Sequence, residues 1–184
     1  MIIIGSKGSE NAMLSACMAL IDSKAQREEF EIFYNDNKNL GYSKAYSILH
    51  DEQAAEDALS EAFLRLAKCF QKVHTLSSHK LLSYFVIIVK NVCIDMLRNS
   101  DDIKEISFDD ELRYPDSESK SVDIERLEEC IKKLSDTDRE FLYLKYELEL
   151  SHEDIAKSLG ITEEASRQRL RYAKAKLKAE LLKE

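Results

Sequence analysis

The chain is 184 residues long, 44% of its residues are hydrophobic, and it contains only four glycines and one proline. This composition is typical of a globular protein, and the scarcity of helix breakers beside abundant Leu, Ala, Glu and Lys predicts an all-α fold. The length allows two modest cores and excludes a large active-site cleft with covering loops. The formal net charge of −8 argues against a free-standing DNA-binding protein, because phosphate contacts need basic surface.

Residues 1–24 are treated as an N-terminal extension. The sequence does not decide whether they form an ordered helix, a regulatory extension or a tail. The segment does not match a secretory signal, because its apolar run is short and no basic residue precedes it. No part of the chain approaches the roughly 20 consecutive apolar residues of a membrane span. We therefore expect a cytoplasmic protein that does not have a membrane as its partner.

A first helical domain is predicted over residues 25–98. Aromatic residues at helical spacing predict a helix over 25–38, and a separate helix is expected over 42–49. A polar loop over 74–79 is expected to precede a last helix over 81–98.

Between these elements the sequence predicts a long helix that begins after Asp51 and ends near Gln71. Asp51 is a suitable N-cap, because its carboxylate can accept hydrogen bonds from the first free backbone N–H groups. The apolar positions of this helix recur on one side and predict its buried face, which carries Ala54, Ala58, Ala62, Phe63, Leu66 and Phe70.

The segment 99–121 lacks the helical pattern of the segments on either side and is predicted to be a flexible linker. It contains Pro115, the only proline of the chain, and several serines. Between Asn99 and Glu125 there are ten acidic residues against three basic ones. The acidic excess of the chain is therefore concentrated here, away from the basic carboxyl-terminal segment.

The second domain, residues 122–184, is predicted to end in a helix-turn-helix. A helix to Leu134, a cap at Ser135 and a helix over 137–146 come first. The helix that follows begins near His152 and stops at Gly160, a residue that readily takes the left-handed conformation ending a helix.

Thr162 is a suitable cap for the last helix, with Glu163 and Glu164 in the first turn at the positive end of the helix dipole. Its buried stripe is predicted to consist of Ser166, Leu170, Ala173 and Leu177.

The last helix is strongly basic on its remaining surface. From Arg167 to Lys178 it carries six basic residues and no acidic one. A helix of this charge behind a glycine turn favours nucleic acid as the partner. The alternative from this segment alone is a helical hairpin with a solvated basic face.

The cysteines and histidines do not form a recognisable metal or catalytic motif. Cys17, Cys69, Cys93 and Cys130 are far apart in the chain, so reduced and buried thiols are expected in place of a zinc site or disulfides. After His152-Glu153, the position that a zinc protease needs for its second histidine is occupied by Ala156. We expect no enzyme activity, no metal and no cofactor.

Several short motifs, taken in order, resemble the bacterial RNA polymerase sigma-70 family, in particular its compact two-domain extracytoplasmic-function (ECF) type. The motifs are AEDALSEAFLRL (55–66), NVCIDMLR (91–98), LSDTDRE (134–140), EDIA (153–156) and LGIT (159–162). The resemblance spans roughly residues 28–182, and it implies two small helical domains, regions 2 and 4, joined by a variable linker. It implies residues 25–98 as the region 2-like domain and 122–184 as the region 4-like domain.

The resemblance implies that Glu56, Asp57, Glu61 and Phe63 contact the clamp coiled coil of the largest polymerase subunit. An acidic, partly apolar helix face suits a basic and apolar partner helix. The alternative is that Phe63 belongs to the core and the acidic residues form a solvated face.

For the −10 promoter element the resemblance implies contacts from region 2. The residues concerned are Lys80, Tyr84, Lys90, Asn91 and Arg98. Asp95 is expected to orient Arg98, since the two are three residues apart on one helical face. Relatives hold a flipped base at the position of the 74–79 loop. Tyr84 replaces a tryptophan found in many of them, and is either a stacking platform or a core aromatic.

For the −35 element the resemblance implies contacts from the last helix. Base contacts are expected from Glu163, Glu164, Arg167 and Gln168, and phosphate contacts from Arg169, Arg171 and Lys174. Two residues depart from the family pattern. Ser166 stands where relatives bury a valine or isoleucine, and Tyr172 stands where many have arginine, so the −35 sequence cannot be transferred to this chain.

The sequence thus predicts a sigma factor that binds core RNA polymerase, recognises and melts promoter DNA and starts transcription. An anti-sigma factor is a further candidate partner. The alternatives are a stand-alone helix-turn-helix regulator, which would form a dimer on a palindromic site, and a helical adaptor that does not bind DNA.

Overall fold

The computed structural model describes residues 7–99 and 122–183, and over these residues the fold is all-α, as the composition predicts. The predicted linker, apart from Asn99, lies outside the described residues. The helices are α1 (Lys7–Met18), α2 (Lys24–Leu49), α3 (Glu52–Val73), α4 (Ser78–Asn99), α5 (Val122–Lys132), α6 (Asp136–Leu142), α7 (His152–Leu159) and α8 (Glu163–Leu181). No helix among the described residues is both long enough and apolar enough to cross a membrane.

The chain divides into two compact units, and the first contains α1 to α4. Helices α2, α3 and α4 pack against one another, and α1 packs on α2 and α3. Of the three possibilities for the N-terminal extension, residues 7–18 adopt an ordered helix. Cys17 in α1 and Ile21 after it are buried, so this helix contributes to the core of the unit.

Helix α2 is continuous from Lys24 to Leu49, so the predicted separation into two helices is wrong. Gly41 lies inside this helix and is buried. A Cβ at this position would lie 2.7 Å from Leu59 Cδ1 and 2.9 Å from Phe85 Cε1. The glycine therefore allows α3 and α4 to approach the backbone of α2 closely, which offsets its low helix propensity.

Aromatic rings fill the core of the first unit. The ring centroid of Phe63 lies 4.6 Å from that of Tyr34 and 4.4 Å from that of Phe85, and the Phe30 and Phe70 centroids are 5.0 Å apart. Phe30, Phe63 and Phe85 have no exposed surface. Rings in tilted and edge-to-face contact at these distances contribute beyond their buried area, so α2, α3 and α4 are held by one aromatic cluster.

The junction between α3 and α4 is shorter than the predicted polar loop. The Asp51 cap of α3 is confirmed, since its carboxylate accepts from the Ala54 backbone N–H at 2.7 Å. Helix α3 continues to Val73, and α4 already includes His79 in its first turn. The His74 ring lies 3.2 Å from Glu29 Oε2 through Nδ1 and 3.0 Å from Gln26 Nε2 through Nε2, which ties this junction to α2.

The second unit contains α5, α6, α8 and the first part of α7. Its core cluster consists of Leu134, Leu142, Leu170 and Ala173, with Leu177 packed against it. The predicted helix over 137–146 is shorter than expected, because α6 ends at Leu142 and a π-helical turn, Tyr143–Glu147, follows. Helix α5 also ends at Lys132, before the predicted Leu134.

The local signals of the helix-turn-helix are confirmed. Gly160 has φ +67°, in the left-handed region, immediately after α7. Thr162 caps α8, its hydroxyl accepting from the Ala165 backbone N–H at 3.1 Å. Ser135 caps α6 in the same way, accepting from the Asp138 backbone N–H at 3.3 Å. Helix ends of this kind are set by residues within one turn, which is why the sequence predicts them well.

All four cysteines are free and buried, which confirms their predicted role as small hydrophobic residues. Burial raises the pKa of the Cys17 thiol to about 11. It also raises the pKa of the Cys93 thiol to about 12, although the nearby Lys44 ammonium and a backbone hydrogen bond act in the opposite direction. Thiols with raised pKa values carry little thiolate near neutral pH and react slowly.

Candidate nucleic-acid interface

Helix α8 buries one face and presents the other to solvent, as its periodicity predicts. Ser166, Leu170 and Ala173 are buried on the inner side. Arg167 and Gln168 are exposed on the outer side, near the amino-terminal end of the helix. This arrangement places a guanidinium and a side-chain amide, both able to make paired hydrogen bonds to base edges, on an accessible surface.

The first two turns of α8 are crossed by polar contacts among the predicted base-reading residues. The Arg167 guanidinium donates to Glu163 Oε1, one turn earlier, and its second nitrogen lies 3.9 Å from Glu164 Oε2. Gln168 Nε2 donates to Glu164 Oε1 at 3.3 Å. Because these side chains are exposed, the pairs are weak and readily exchanged for other partners.

The three residues predicted to contact phosphates lie over aromatic rings. The Lys174 ammonium is 5.1 Å from the Tyr146 ring centroid, and the Arg171 guanidinium carbon is 5.6 Å from that of Tyr172. Arg169 lies 5.5 Å above the ring of Phe141, which is buried. Arg169 is half-buried, so Arg171 and Lys174 are the more accessible cations of the three.

A polar contact between α7 and α8 was not predicted from the sequence. His152 Nδ1 lies 3.1 Å from the hydroxyl of Ser166, which has no exposed surface. The sequence does contain a feature that indicates such a contact, namely a serine in an otherwise apolar stripe. A buried hydroxyl needs a hydrogen-bond partner.

A second contact that was not predicted holds α8 against α6. Lys176 Nζ donates to Asp138 Oδ2 at 2.5 Å, and the same carboxylate oxygen accepts from the Ser135 hydroxyl at 2.6 Å. Asp138 is buried. A buried carboxylate needs both a cation and hydrogen-bond donors, so Lys176 serves in this contact between the two helices.

In the first unit, the residues predicted for the −10 element occupy different environments. Arg98 is exposed, and Lys80 and Asn91 are half-buried, with Asn91 Nδ2 donating to the Ile87 carbonyl at 2.8 Å. Tyr84 has no exposed surface and Lys90 is 4% exposed. Tyr84 was expected to be either a stacking platform or a core aromatic, and in the structure it is a core aromatic. In this conformation its ring is not available to a base.

The predicted pairing of Asp95 with Arg98 is replaced by another. Asp95 Oδ2 lies 3.4 Å from Arg65 Nη1, and Arg65 Nε donates to Glu61 Oε1 at 2.7 Å. Arg65 comes from α3, 30 residues earlier in the chain, so the carboxylate of Asp95 connects α4 to α3. Spacing on one helix suggested the wrong partner because helix packing supplied a nearer guanidinium.

The residues predicted to bind polymerase also divide by exposure. Asp57 is exposed, and Glu56 and Glu61 are half-buried, all three on α3. Phe63 is fully buried in the aromatic core, which is the alternative that its sequence pattern left open. An acidic surface is therefore present on α3, but the ring of Phe63 does not form part of it.

Comparison with known proteins gives consistent matches over both units. The family model described as Sigma-70 region 2 matches residues 33–102, and that described as Sigma-70, region 4, matches residues 124–177. The ECF RNA polymerase sigma factor SigM of Bacillus subtilis is 28% identical over 159 residues, which cover 83% of this chain and 92% of that protein. The probable RNA polymerase sigma factor RfaY of Xanthomonas campestris pv. campestris is 30% identical over 148 residues, covering 75% of this chain but only 36% of the longer relative.

The chain belongs to the bacterial RNA polymerase sigma-70 family and is of the extracytoplasmic-function type. It is a sigma factor that directs transcription initiation. Membership of this family implies that its partners are core RNA polymerase and promoter DNA.

Proposed function

We propose that this sigma factor reads a two-part promoter, with α8 on the −35 element and α4 beside the −10 element. The observation that carries the proposal is the outward face of α8, where Arg167 and Gln168 are exposed above a buried stripe. Residues 99–121 would join a region 2-like domain (25–98) to a region 4-like domain (122–184). Linkage of two weak sites raises the overall affinity without any new contact.

At the −35 element, Arg167 would pair with guanine and Gln168 with adenine, and Glu163 and Glu164 would accept hydrogen bonds from cytosine. In the free protein, the two glutamates already hold the arginine and glutamine side chains by hydrogen bonds. These exposed pairs orient the Arg167 and Gln168 side chains in advance. Because the pairs are weak, breaking them in favour of hydrogen bonds to bases costs little free energy. Arg171 and Lys174, the more accessible cations, would hold the phosphates, with a smaller contribution from Arg169.

At the −10 element, the accessible residues are Arg98, Asn91 and Lys80. Arg98 and Lys80 suit phosphates, and the Asn91 amide can offer a donor and an acceptor to a base edge. The burial of Tyr84 and Lys90 argues that they support this surface from within. In this conformation the Tyr84 ring cannot stack on a base. Melting of the duplex would then require another side chain on which an unpaired base can stack.

For core polymerase, the acidic surface of α3 suits the clamp coiled coil of the largest subunit. Asp57, Glu56 and Glu61 are accessible to a basic partner. Phe63 would contribute by supporting α3 from the core. The site of action would be the cytoplasm, and an anti-sigma factor would compete for the same surfaces.

Reconstitution with core polymerase and run-off transcription from genomic DNA tests the function. We expect promoter-specific transcripts that require the sigma factor, and weak or no specific DNA binding by the isolated protein, because its net charge is −8. The absence of both a specific transcript and co-purification with polymerase would contradict the proposal.

Charge reversal separates the two surfaces in the same assay. Arg167→Glu should abolish promoter-specific transcripts while co-purification with polymerase persists, and Asp57→Lys should weaken co-purification. The matched controls are Lys132→Glu on α5 and Asp36→Lys on α2, both exposed residues outside the proposed contacts. Equal loss from a variant and its control would indicate a general charge effect and would count against the assignment.

A further inference from the structure

A polar pair joins the amino-terminal end of α7 to the buried face of α8. His152, the first residue of α7, directs Nδ1 to within 3.1 Å of the Ser166 hydroxyl. Ser166 has no exposed surface, and Leu170, one turn later on the same stripe, belongs to the core cluster of the unit. The hydroxyl is thus buried in a position that periodicity predicts to be apolar.

A buried serine destabilises a helix contact unless its hydroxyl finds a partner, and losing that partner costs about 1–3 kcal/mol. An alkyl side chain at this position would make contacts that tolerate sliding and rotation. A hydrogen bond is directional, and its strength falls when donor and acceptor move apart or out of line. The pair therefore specifies how α8 is placed against the start of α7 more narrowly than apolar packing would.

Ser166 directly precedes Arg167 and Gln168, so its placement determines where these exposed side chains project. We propose that His152 is a positioning residue for promoter recognition, holding Ser166 so that Arg167 and Gln168 meet the base edges in register. The inference rests on the proposed function, in which α8 reads the −35 element. His152 acts through Ser166, and it contacts no base itself.

The surroundings of His152 favour the neutral ring that can accept a hydrogen bond from the serine. Partial burial lowers the pKa of His152, and nearby cations lower it further. The charges of Lys145 on the π-helical turn and of Arg167 and Lys174 on α8 act in this direction, and the carboxylate of Glu163 opposes them. A protonated ring could only donate through Nδ1, and it would stand among three cations.

The test measures −35 discrimination, a readout that a loss of stability alone would not move. Full-length variants are reconstituted with core polymerase, and run-off transcription is compared between a cognate promoter and the same promoter with one −35 base pair changed. We expect His152→Ala and Ser166→Ala each to reduce the discrimination ratio by about tenfold, which corresponds to about 1.4 kcal/mol. The double variant should lose no more than either single variant, since both remove the same bond.

His152→Asn keeps the experiment decisive if the alanine variants fold poorly, because its amide can reach the position of Nδ1. We expect its discrimination ratio to lie within about twofold of the wild type. Multiplicative losses in the double variant would overturn the proposal, as would an asparagine variant no better than alanine. Unchanged discrimination with a lower melting temperature would assign the pair a structural role only and would also overturn it.

Arg167→Ala in the same assay distinguishes the inference from the function on which it rests. If Arg167→Ala lowers discrimination and His152→Ala does not, the positioning role fails while the reading of DNA by α8 stands. If Arg167→Ala itself leaves discrimination unchanged, α8 is not the reader. That result would overturn the −35 assignment and the positioning role together.

Discussion

Arg65 on α3 and Asp95 on α4 form an ion pair inside the first unit, with Nη1 3.4 Å from Oδ2. Arg65 also donates through Nε to Glu61, so one guanidinium holds two carboxylates. The side chain of Arg65 is 13% exposed and that of Asp95 is 36% exposed. This pair connects the helix proposed to face polymerase with the helix proposed to face the −10 element.

Removal of Asp95 is expected to lower stability, whereas removal of Arg98 is not. Asp95→Ala should reduce the free energy of unfolding by up to about 1 kcal/mol, a value limited by partial exposure. Arg98→Ala should change it by less than about 0.5 kcal/mol, because its side chain is exposed. Urea denaturation of the two variants measures both values. An equal loss in the two variants would restore Arg98 as the partner of Asp95.

Gly41→Ala is expected to destabilise the first unit although alanine is the better helix former. The added Cβ would lie within 3 Å of both Leu59 and Phe85, and such overpacking costs about 1–3 kcal/mol. Ser43→Ala, at an exposed position of the same helix, should be neutral or slightly stabilising. Thermal unfolding followed by circular dichroism compares the two, and a stabilised Gly41→Ala variant would contradict the close approach of α3 and α4.

Phe63→Ala and Glu61→Lys are expected to weaken polymerase binding for different reasons. Truncation of a fully buried ring costs about 3–5 kcal/mol, so Phe63→Ala should lower the melting temperature and reduce binding through partial unfolding. Glu61→Lys should reduce binding by reversing a charge on the acidic surface, and the loss of its pairing with Arg65 should cost less stability than the loss of a buried ring. Co-purification with core polymerase is compared with the folded fraction that the melting curve of each variant gives at the assay temperature. This comparison separates the two cases. A stable Phe63→Ala variant that fails to bind would indicate a direct contact.

The stability of the second unit is expected to decrease with acidification through His152. Its pKa in the folded state is below that of the unfolded chain, so its contribution is present above about pH 6.5 and is lost as the pH falls through the folded-state value. Denaturant unfolding of the wild type and His152→Asn between about pH 5 and pH 8 isolates this residue. The difference in unfolding free energy between the two should shift in favour of the variant at low pH. A difference independent of pH would contradict the lowered pKa.

The four cysteines are expected to react slowly with thiol reagents in the native protein. All are buried, and the raised pKa values of Cys17 and Cys93 leave little thiolate near neutral pH. A colorimetric disulfide reagent should label them at the rate of local or global unfolding, and denaturant should make all of them react at once. Fast labelling of one cysteine in native buffer would indicate that its surroundings open readily.

The features that the sequence by itself determined are those set within a few residues of the chain. The caps at Asp51, Ser135 and Thr162 depend on side chains that accept from backbone N–H groups three residues later. The buried stripe of α8 depends on a period of 3.6 residues. The order of the two domains follows from short motifs that resemble those of the family in sequence and in spacing.

Only the tertiary structure decided which polar and aromatic residues are accessible and with which residues they pair. Tyr84 and Phe63 share their helices with exposed polar residues, yet both rings are fully buried. Asp95 found Arg65, and His152 found Ser166, across 30 and 14 residues of chain. Such partners are set by how helices dock, and the docking depends on the summed packing of many apolar side chains. No local pattern contains that sum, so sequence spacing alone did not identify them.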